Sequence, residues 1–305
     1  MTDSLSGVRH RSLPVALLVS LRPRQWLKNV LVFAAPLAAG ALFRPGVLGA
    51  SIGAFVAFCL LSSATYLVND TRDIALDREH PVKRHRPIPA GQVPVPVAIV
   101  TAIVLAVAAL ALSAWISLSL LGILVAYAVV TLAYSLGLKN EPVIELGLLA
   151  MGFLLRAVAG GAASGLPIST WFLIVAGFGS LFMAAGKRSS ELARAGVRGA
   201  DGEMPAARRS LAGYTPSYLR FVWAVSAAVT ITAYCLWAFE VAAKPSSVPW
   251  AAWSVLPFVL AILRYAVDVD RGSAEAPEEV VLHDRVLIVL GIVWVVLFGL
   301  GALGV

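Results

Sequence analysis

Three aspartates in one segment are spaced as a metal site requires. Asp70, Asp73 and Asp77 lie three and four residues apart in the stretch YLVNDTRDIALDREHPVKRHRPIPAG, residues 66–91. On a helix these steps place the side chains on one face, one turn apart. Neighbouring carboxylates repel one another unless a cation lies between them. Because Mg²⁺ takes oxygen ligands and is commonly bound together with substrate phosphates, the spacing predicts that the three aspartates hold Mg²⁺ and a diphosphate.

The same segment contains cations that suit a phosphorylated substrate. A charged segment after an apolar run also satisfies membrane topology. Topology requires Lys and Arg, however, and gains nothing from three carboxylates in register. The segment therefore favours a metal–diphosphate site. Its candidate substrate-binding residues are Asn69, Arg72, Lys83, Arg84 and Arg86.

Composition places these residues in a membrane protein. Of the 305 residues 59% are hydrophobic and 13% are charged, whereas soluble domains have about 25% charged residues. Long uncharged runs recur, each close to the ~20 residues that cross the hydrocarbon core. The predicted spans are 26–43, 47–69, 93–113, 115–136, 142–163, 169–187, 217–240, 249–267 and 284–304. We therefore predict an all-α polytopic membrane protein with nine transmembrane helices, forming one domain over 1–305 with a short interfacial segment at 1–25.

The net charge of +7 comes from cationic residues that are concentrated on one side of the predicted membrane, and this distribution argues against a nucleic-acid partner. Alternate loops contain nearly all of the 24 Lys and Arg residues, and the remaining loops contain only Arg44 and Lys244. By the positive-inside rule the N-terminus is cytoplasmic and the C-terminus external, as an odd number of spans requires. We expect a plasma-membrane protein whose charged site faces the cytoplasm.

A second polar group lies where the first predicted span begins, in RPRQWLKN, residues 22–29. Trp26 and the nearby cations are typical of an interfacial anchor that binds anionic lipid head groups. Lys28 and Asn29 lie deeper than an anchor requires. Both interpretations stay open, and Lys28 is the candidate substrate-binding residue of this group.

A third group extends into the fifth predicted span. Tyr134 and Lys139 precede it, and Glu145 and Arg156 lie inside it, eleven residues apart. That separation places the last two on one helix face without direct contact. Ionised groups at such depth face a polar cavity or one another. We expect a water-filled cavity lining, with pairing to neighbouring helices as the alternative; Tyr134, Lys139 and Arg156 are candidate substrate-binding residues.

A fourth group, GKRSSEL at 186–192, ends the sixth predicted span. It fits an ordinary positive stop at the membrane surface, and it fits phosphate binding by Lys187 and Arg188 equally well. Asp268 and Asp270 point to different helix faces, and the four histidines lack metal-ligand spacing, so neither set predicts a metal site.

At these residues the chain resembles the UbiA-type superfamily of membrane prenyltransferases. That superfamily has nine helices and an Asn-Asp-x-x-x-Asp-like motif after the second helix that binds Mg²⁺ and diphosphate. Here the motif consists of Asn69, Asp70, Asp73 and Asp77. The resemblance covers nearly the whole chain and implies a Mg²⁺ cofactor and a central cavity open to the cytoplasm. GKRSSEL stands where the superfamily usually has a second aspartate-rich motif, which argues against a second carboxylate-held Mg²⁺ there.

With GKRSSEL at that position, and with RPRQWLKN and YAVDVD elsewhere, the chain is similar to one actinobacterial branch of the superfamily. The branch transfers 5-phosphoribose from 5-phosphoribosyl diphosphate to a polyprenyl (decaprenyl) phosphate, releasing diphosphate, in arabinan and arabinogalactan precursor synthesis. Glu145 stands where the branch is expected to have Asp. Three anionic groups in one site require many cations, which this chain supplies. The resemblance thus implies Mg²⁺-assisted departure of diphosphate and direct attack by the lipid phosphate, without a strong general base.

Two alternatives stay open. One is a UbiA-type enzyme that moves a prenyl group onto an aromatic acceptor in quinone synthesis; the missing second aspartate motif counts against it. The other is a transporter, whose ionisable residues would lie near the bilayer midplane, whereas here they crowd one membrane face. The oligomeric state is left open.

Overall fold

The structure, a computed structural model, describes residues 12–80, 82–198, 211–242, 248–274, 280 and 283–304. Every regular element within these ranges is a helix, which confirms the all-α prediction. The elements are α1 (Leu13–Ser20), a 3₁₀ helix (Pro23–Phe33), α2 (Ala34–Ala38), α3 (Pro45–Arg72), α4 (Ile74–Glu79), a 3₁₀ turn (Lys83–His85), α5 (Val95–Ile116), α6 (Leu118–Leu136), a 3₁₀ turn (Leu138–Asn140), α7 (Ile144–Ala163), α8 (Thr170–Arg198), a 3₁₀ turn (Leu211–Gly213), α9 (Pro216–Ala242), α10 (Trp250–Trp253), α11 (Val255–Asp270) and α12 (Arg285–Leu303).

Eight stretches of helix in the described part are long and apolar enough to cross a membrane, which makes the chain a multi-pass membrane protein. They are α3, α5, α6, α7, α8, α9, α10 with α11, and α12. Each coincides with a predicted span. A helix satisfies its own backbone hydrogen bonds, which is why an apolar run in a bilayer adopts this structure.

Local sequence explains several helix ends. Proline stands in the first turn of α3 and of α5, where an amide would have no helical partner to lose. Ser117 separates α5 from α6, and its Oγ accepts a hydrogen bond from the amide of Leu120 at 3.0 Å. Gly137, with φ +144°, ends α6.

The first predicted span, 26–43, is the least regular. It falls on the long 3₁₀ helix and the five-residue α2, neither of which is among the eight spans, so the predicted number of nine is not confirmed. Arg22, just before the 3₁₀ helix, pairs with Asp70 near the end of α3. Gly40, just after α2, packs so closely on the end of α12 that a Cβ would lie 2.4 Å from the carbonyl oxygen of Ala302.

Consecutive spans run in opposite directions and pack on their sequence neighbours. The ends of α3, α6, α8 and α11 therefore lie on the same side of the bundle as the starts of α5, α7, α9 and α12. We call this side the charged end and the opposite side the far end. One apolar cluster, around Phe58, Leu120 and Leu124, joins α3, α5, α6 and α7; a second, around Tyr234 and Phe298, joins α7 to α9, α11 and α12.

Two predictions about architecture stay predictions. The interfacial segment 1–25 includes α1, but residues 1–11 lie outside the described residues. A central cavity open to the cytoplasm is likewise untested. The described part contains a cleft of about 480 Å³ lined by apolar side chains, among them Phe239, Trp253 and Leu256. Phe239 lies in the last turn of α9, Trp253 ends α10 and Leu256 is in the first turn of α11, so that cleft lies at the far end, away from the acidic motif.

Candidate active site

The acidic motif lies at a break between two helices. α3 ends at Arg72 and α4 begins at Ile74, with Asp73 between them. The spacing predicts one face of a continuous helix, whereas in the structure the helix is interrupted at Asp73. Asp70 and Asp77 are each only 2% exposed.

Asp70 and Asp77 converge on one cationic atom. Nη1 of Arg86 lies 3.1 Å from Oδ1 of Asp70 and 2.8 Å from Oδ2 of Asp77. Nζ of Lys83 lies 3.8 Å from the other carboxylate oxygen of Asp77. Two buried carboxylates aimed at one point are the arrangement that a shared cation requires, and their oxygen atoms are the ligands that Mg²⁺ prefers. The pair therefore fits a Mg²⁺ site.

Asp73 lies apart from that pair. Its Oδ2 is 3.7 Å from Nζ of Lys139, which follows α6. Within the described ranges no three His, Cys, Asp or Glu side chains are grouped closely enough to hold a metal ion. The metal role of all three aspartates stays a prediction; Asp70 and Asp77 are the two whose oxygen atoms share a cationic neighbour.

Arg22 is a member of this site that was not among the candidate residues. Its Nη2 lies 2.5 Å from Oδ1 of Asp70, and its guanidinium carbon lies 4.8 Å from the ring centre of Tyr66. Arg22 adopts the left-handed conformation, with φ +55°, directly before the 3₁₀ helix. The signal in the sequence was the basic RPRQWLKN group, but a contact between residues 48 positions apart depends on how the helices pack.

The last turn of α6 and the connection after it contact the same motif. Nη1 of Arg72 donates to the carbonyl oxygen of Ser135 at 2.7 Å, and Oγ of Ser135 lies 3.4 Å from Oδ1 of Asn69. With the Lys139–Asp73 pair, these contacts bring Asn69, Arg72 and Lys139 together. Substrate binding by these three residues stays a prediction.

A second charged cluster surrounds Arg188 on α8. Its Nε donates to Oε1 of Glu145 at 2.7 Å, its Nη1 pairs with Glu191, and its Nη2 donates to the hydroxyl of Tyr134 at 3.0 Å. Lys187 lies 3.8 Å from Glu191. All three nitrogens of the Arg188 guanidinium thus face acceptors of the protein, and Glu145 is fully buried. Glu145 pairs with a neighbouring helix, the alternative that the sequence left open.

Arg156 lies elsewhere. It is twelve residues into α7, about 18 Å along the helix axis from its start. Its Nε donates to Oδ1 of Asn29 at 2.7 Å and its Nη2 to the hydroxyl of Tyr127 at 2.8 Å. Nη1 donates to the carbonyl oxygen of Gly152 at 2.6 Å. The described contacts of Arg156 are all with uncharged groups and lie far from the acidic motif, so a substrate contact there stays a prediction.

The remaining candidates are placed as follows. Lys28 lies on the 3₁₀ helix beside the buried Asn29, and Arg84 is exposed, with Nε 3.3 Å from Nε2 of His85. Most of the candidates therefore belong to two clusters at the charged end, which are connected through the segment from Tyr134 to Glu145.

The chain has clear relatives. The model of the UbiA prenyltransferase family matches residues 29–283. A Mycolicibacterium smegmatis protein named decaprenyl-phosphate phosphoribosyltransferase is 47% identical over 296 residues, covering 93% of this chain and 92% of its own. A Mycobacterium tuberculosis protein of the same name is 50% identical over 284 residues, covering 92% of each chain.

Solved structures agree on the fold. A UbiA homolog from Archaeoglobus fulgidus superposes with a TM-score of 0.66 at 18% identity, covering 96% of this chain and 100% of that one. The same homolog bound to GPP and Mg²⁺ gives a TM-score of 0.66 at 17% identity, over 95% of this chain. Because the family model matches residues 29–283, the relatives align over more than nine-tenths of the chain and the solved structures share the helical fold, this chain belongs to the UbiA prenyltransferase family and is a transferase.

Proposed function

We propose that this enzyme transfers 5-phosphoribose from 5-phosphoribosyl diphosphate to a polyprenyl phosphate, decaprenyl phosphate in particular, releasing diphosphate. The observation that carries the proposal is the identity of 47% and 50%, over nine-tenths of the chain, to two proteins named for phosphoribosyl transfer to decaprenyl phosphate. The charged end supports it, because two clusters there supply cations for several phosphates.

Asp70 and Asp77 would hold Mg²⁺, since their oxygens converge within 3.1 Å and 2.8 Å of a single atom. Mg²⁺ bound there would polarise the departing diphosphate as a Lewis acid. The solved family member with GPP and Mg²⁺ supports such a requirement at the level of the family. Asp73, which is the more exposed of the three, is proposed to complete the ligand set from the helix break.

The cations divide into two kinds. Arg188 faces two carboxylates and a tyrosine hydroxyl, so we propose that it positions Glu145 and Glu191 and does not contact phosphate. Arg86, Lys83, Lys139 and Lys187 keep partly exposed side chains, between 28% and 40%. These four are the proposed phosphate contacts, with Arg22 beside them.

The chemistry needs alignment more than proton transfer. The bond between ribose C1 and the diphosphate oxygen breaks, and a bond forms between C1 and an oxygen of the lipid phosphate. A phosphate monoester with a second pKa of about 6 is already largely dianionic at neutral pH, so no strong base is needed. A single in-line displacement inverts C1. Fixed cations around both phosphates stabilise the charge that moves between them.

We also propose that 23–38 crosses the membrane as a ninth element. The residues that flank it contact opposite ends of the bundle: Arg22 pairs with Asp70 at the charged end, and Gly40 packs on Ala302 at the far end. Eleven 3₁₀ residues at ~2.0 Å each and five α residues at ~1.5 Å each span about 30 Å, the hydrocarbon thickness. Nine crossings would put the two termini on opposite sides of the membrane, and by the positive-inside rule the N-terminus and the charged end are proposed to be cytoplasmic and the C-terminus external. We propose a plasma-membrane enzyme of arabinogalactan precursor synthesis.

One assay tests the function. Purified protein is incubated with Mg²⁺, labelled 5-phosphoribosyl diphosphate and a polyprenyl phosphate, and label is measured in the lipid fraction. We expect transfer that chelation of Mg²⁺ abolishes. No transfer to lipid, combined with transfer of a prenyl group to an aromatic acid in a parallel reaction, would replace the proposal with the quinone-type activity.

Two variants refine the assay. Asp73→Ala is expected to abolish turnover without unfolding the protein, whereas Asp270→Ala, at a side chain that is 66% exposed, is the matched control with normal turnover. Lys187→Ala is expected to raise the donor KM about tenfold. Full activity of Asp73→Ala would remove this residue from the metal site.

A further inference from the structure

One backbone turn between α6 and α7 is strained. Val143 has φ +69° and ψ −51°, and the amide of Ile144 donates to the carbonyl oxygen of Pro142 at 2.8 Å. These angles and this hydrogen bond define the rare form of the γ-turn, which side chains branched at Cβ disfavour. Such strain persists only where the surrounding structure holds it.

Tyr214, in the segment that leads into α9, holds the turn. The amide of Val143 donates to its hydroxyl oxygen at 2.8 Å, and its side chain is buried. Next to it, Gly213 packs so tightly that a Cβ would lie 2.3 Å from Cγ of Pro142. Burial raises the pKa of the Tyr214 phenol, so its hydroxyl stays protonated at neutral pH.

The turn lies between the two charged clusters. Four residues before Val143, Lys139 pairs with Asp73 at 3.7 Å. Two residues after it, Glu145 pairs with Arg188. A rotation at Val143 changes the direction of the chain between these two side chains, so relaxation of the turn would move Lys139 relative to Glu145.

We propose that the strained turn at Val143, locked by the hydroxyl of Tyr214, is a positioning device that holds Lys139 on Asp73 and Glu145 on Arg188 at the same time. Val143 and Tyr214 act through these residues and do not touch substrate. The expected change in the KM for 5-phosphoribosyl diphosphate rests on the proposed function, in which Lys139 binds a phosphate of that donor. The locking of the turn does not depend on that function.

A rescue experiment separates strain from simple loss of packing. Tyr214→Phe removes only the hydroxyl, so the turn loses its lock. Val143→Gly allows the same backbone angles without steric cost, because glycine adopts positive φ readily. Adding Val143→Gly to Tyr214→Phe should therefore restore the turn. Tyr218→Phe is the matched control, since its ring stacks on that of Tyr214 at 6.0 Å but the lock lies on Tyr214.

Two readouts are measured on the full chain in detergent. Hydrogen–deuterium exchange over residues 138–147 should be about tenfold faster in Tyr214→Phe. The donor KM should rise about tenfold with little change in kcat, the pattern of a mispositioned binding group. In the double variant the donor KM, and the exchange of the amides other than that of residue 143, which still lacks its acceptor, should return to within about twofold of the wild type. Tyr218→Phe should change neither.

Unchanged exchange in Tyr214→Phe, or a double variant that exchanges as fast as the single one, would overturn the proposal. Accelerated exchange with an unchanged donor KM would overturn the link to Lys139. If the wild type transfers no phosphoribose at all, the proposed function fails, while the exchange data still decide whether Tyr214 locks the turn.

Discussion

The Nε of Arg156 donates to Oδ1 of Asn29 across 2.7 Å, joining residues 127 positions apart in the chain. Asn29 is fully buried on the 3₁₀ helix and Arg156 is 6% exposed on α7. The rings of Tyr127 and Phe58 lie 4.6 Å and 5.7 Å from the guanidinium carbon. The described partners of this cation are thus uncharged acceptors and aromatic faces. Because Asn29 belongs to the 3₁₀ helix and Arg156 to α7, their hydrogen bond attaches the irregular first segment to the bundle.

Loss of that acceptor should be costly. Asn29→Leu leaves a buried charged donor without its partner, and we expect a loss of about 3 kcal/mol of stability. Thermal unfolding of the purified protein in detergent measures it. Asn140→Leu, at an exposed position, is the control and should change little. Equal melting temperatures for the two variants would show that the bond contributes nothing.

The bridge formed by Arg86 predicts a response to metal. Arg86→Gln leaves two buried carboxylates, Asp70 and Asp77, without their shared cation. In chelator we expect a loss of about 2 kcal/mol, below the 3–5 kcal/mol of a fully buried pair, because the Arg86 side chain is 28% exposed. Added Mg²⁺ should stabilise this variant more than the wild type, since binding to the folded state alone raises stability.

The control for the Arg86 prediction is Arg84→Gln, which changes an exposed cation two residues away. Thermal melting of both variants, with and without Mg²⁺, makes the comparison. A variant at Arg86 that melts like the wild type in chelator, or that gains nothing extra from Mg²⁺, contradicts a cation site between the two carboxylates.

Two glycines of α7 should respond in opposite directions. A Cβ on Gly160 would lie 2.1 Å from the carbonyl oxygen of Val32, so Gly160→Ala must displace backbone, at a cost of about 1–3 kcal/mol. A Cβ on Gly147 would meet nothing within 4 Å, so Gly147→Ala should stabilise the helix by ~0.5–1 kcal/mol. A Gly160→Ala variant that melts at or above the wild type would show that the 3₁₀ helix does not pack on α7 so closely, and a Gly147→Ala variant that melts below it would contradict the open space at that position.

Asp284 predicts a pH dependence. Nε of Arg264 donates to Oδ2 of Asp284 at 2.7 Å and holds the pKa of that carboxyl below its usual value, with further help from the amides of Val286 and Leu287. A lowered folded pKa means that the stabilisation is present above the ordinary pKa of about 3.9. It is lost as the pH falls through the lowered value.

Asp284→Asn tests this sign. The asparagine keeps an acceptor for the first turn of α12 but loses the charge. We expect it to melt below the wild type at pH 7 and to approach the wild type as the pH falls below about 4. Asp270→Asn, whose Oδ1 lies 3.8 Å from Nη2 of Arg220 on a mostly exposed pair, should show little difference at either pH. A gap for Asp284→Asn that widens toward low pH contradicts the assignment.

The sequence by itself determined the helical class, eight of the spans and the end of the bundle that carries the charged groups. Hydropathy and helix periodicity are local properties, and a bilayer leaves an apolar run few alternatives to a helix. The spacing of Asp70 and Asp77 predicted that their carboxylates lie close together, because the two residues are only seven positions apart in the sequence.

Only the tertiary structure decided which side chains are partners. Arg188 faces Glu145, Arg22 faces Asp70, and the amide of Val143 faces Tyr214. Each contact joins residues 43 to 71 positions apart, so it depends on how helices pack and not on any local pattern. The break at Asp73 and the 3₁₀ form of the first segment were decided in the same way, because contacts with neighbouring helices outweigh the small local differences in backbone preference.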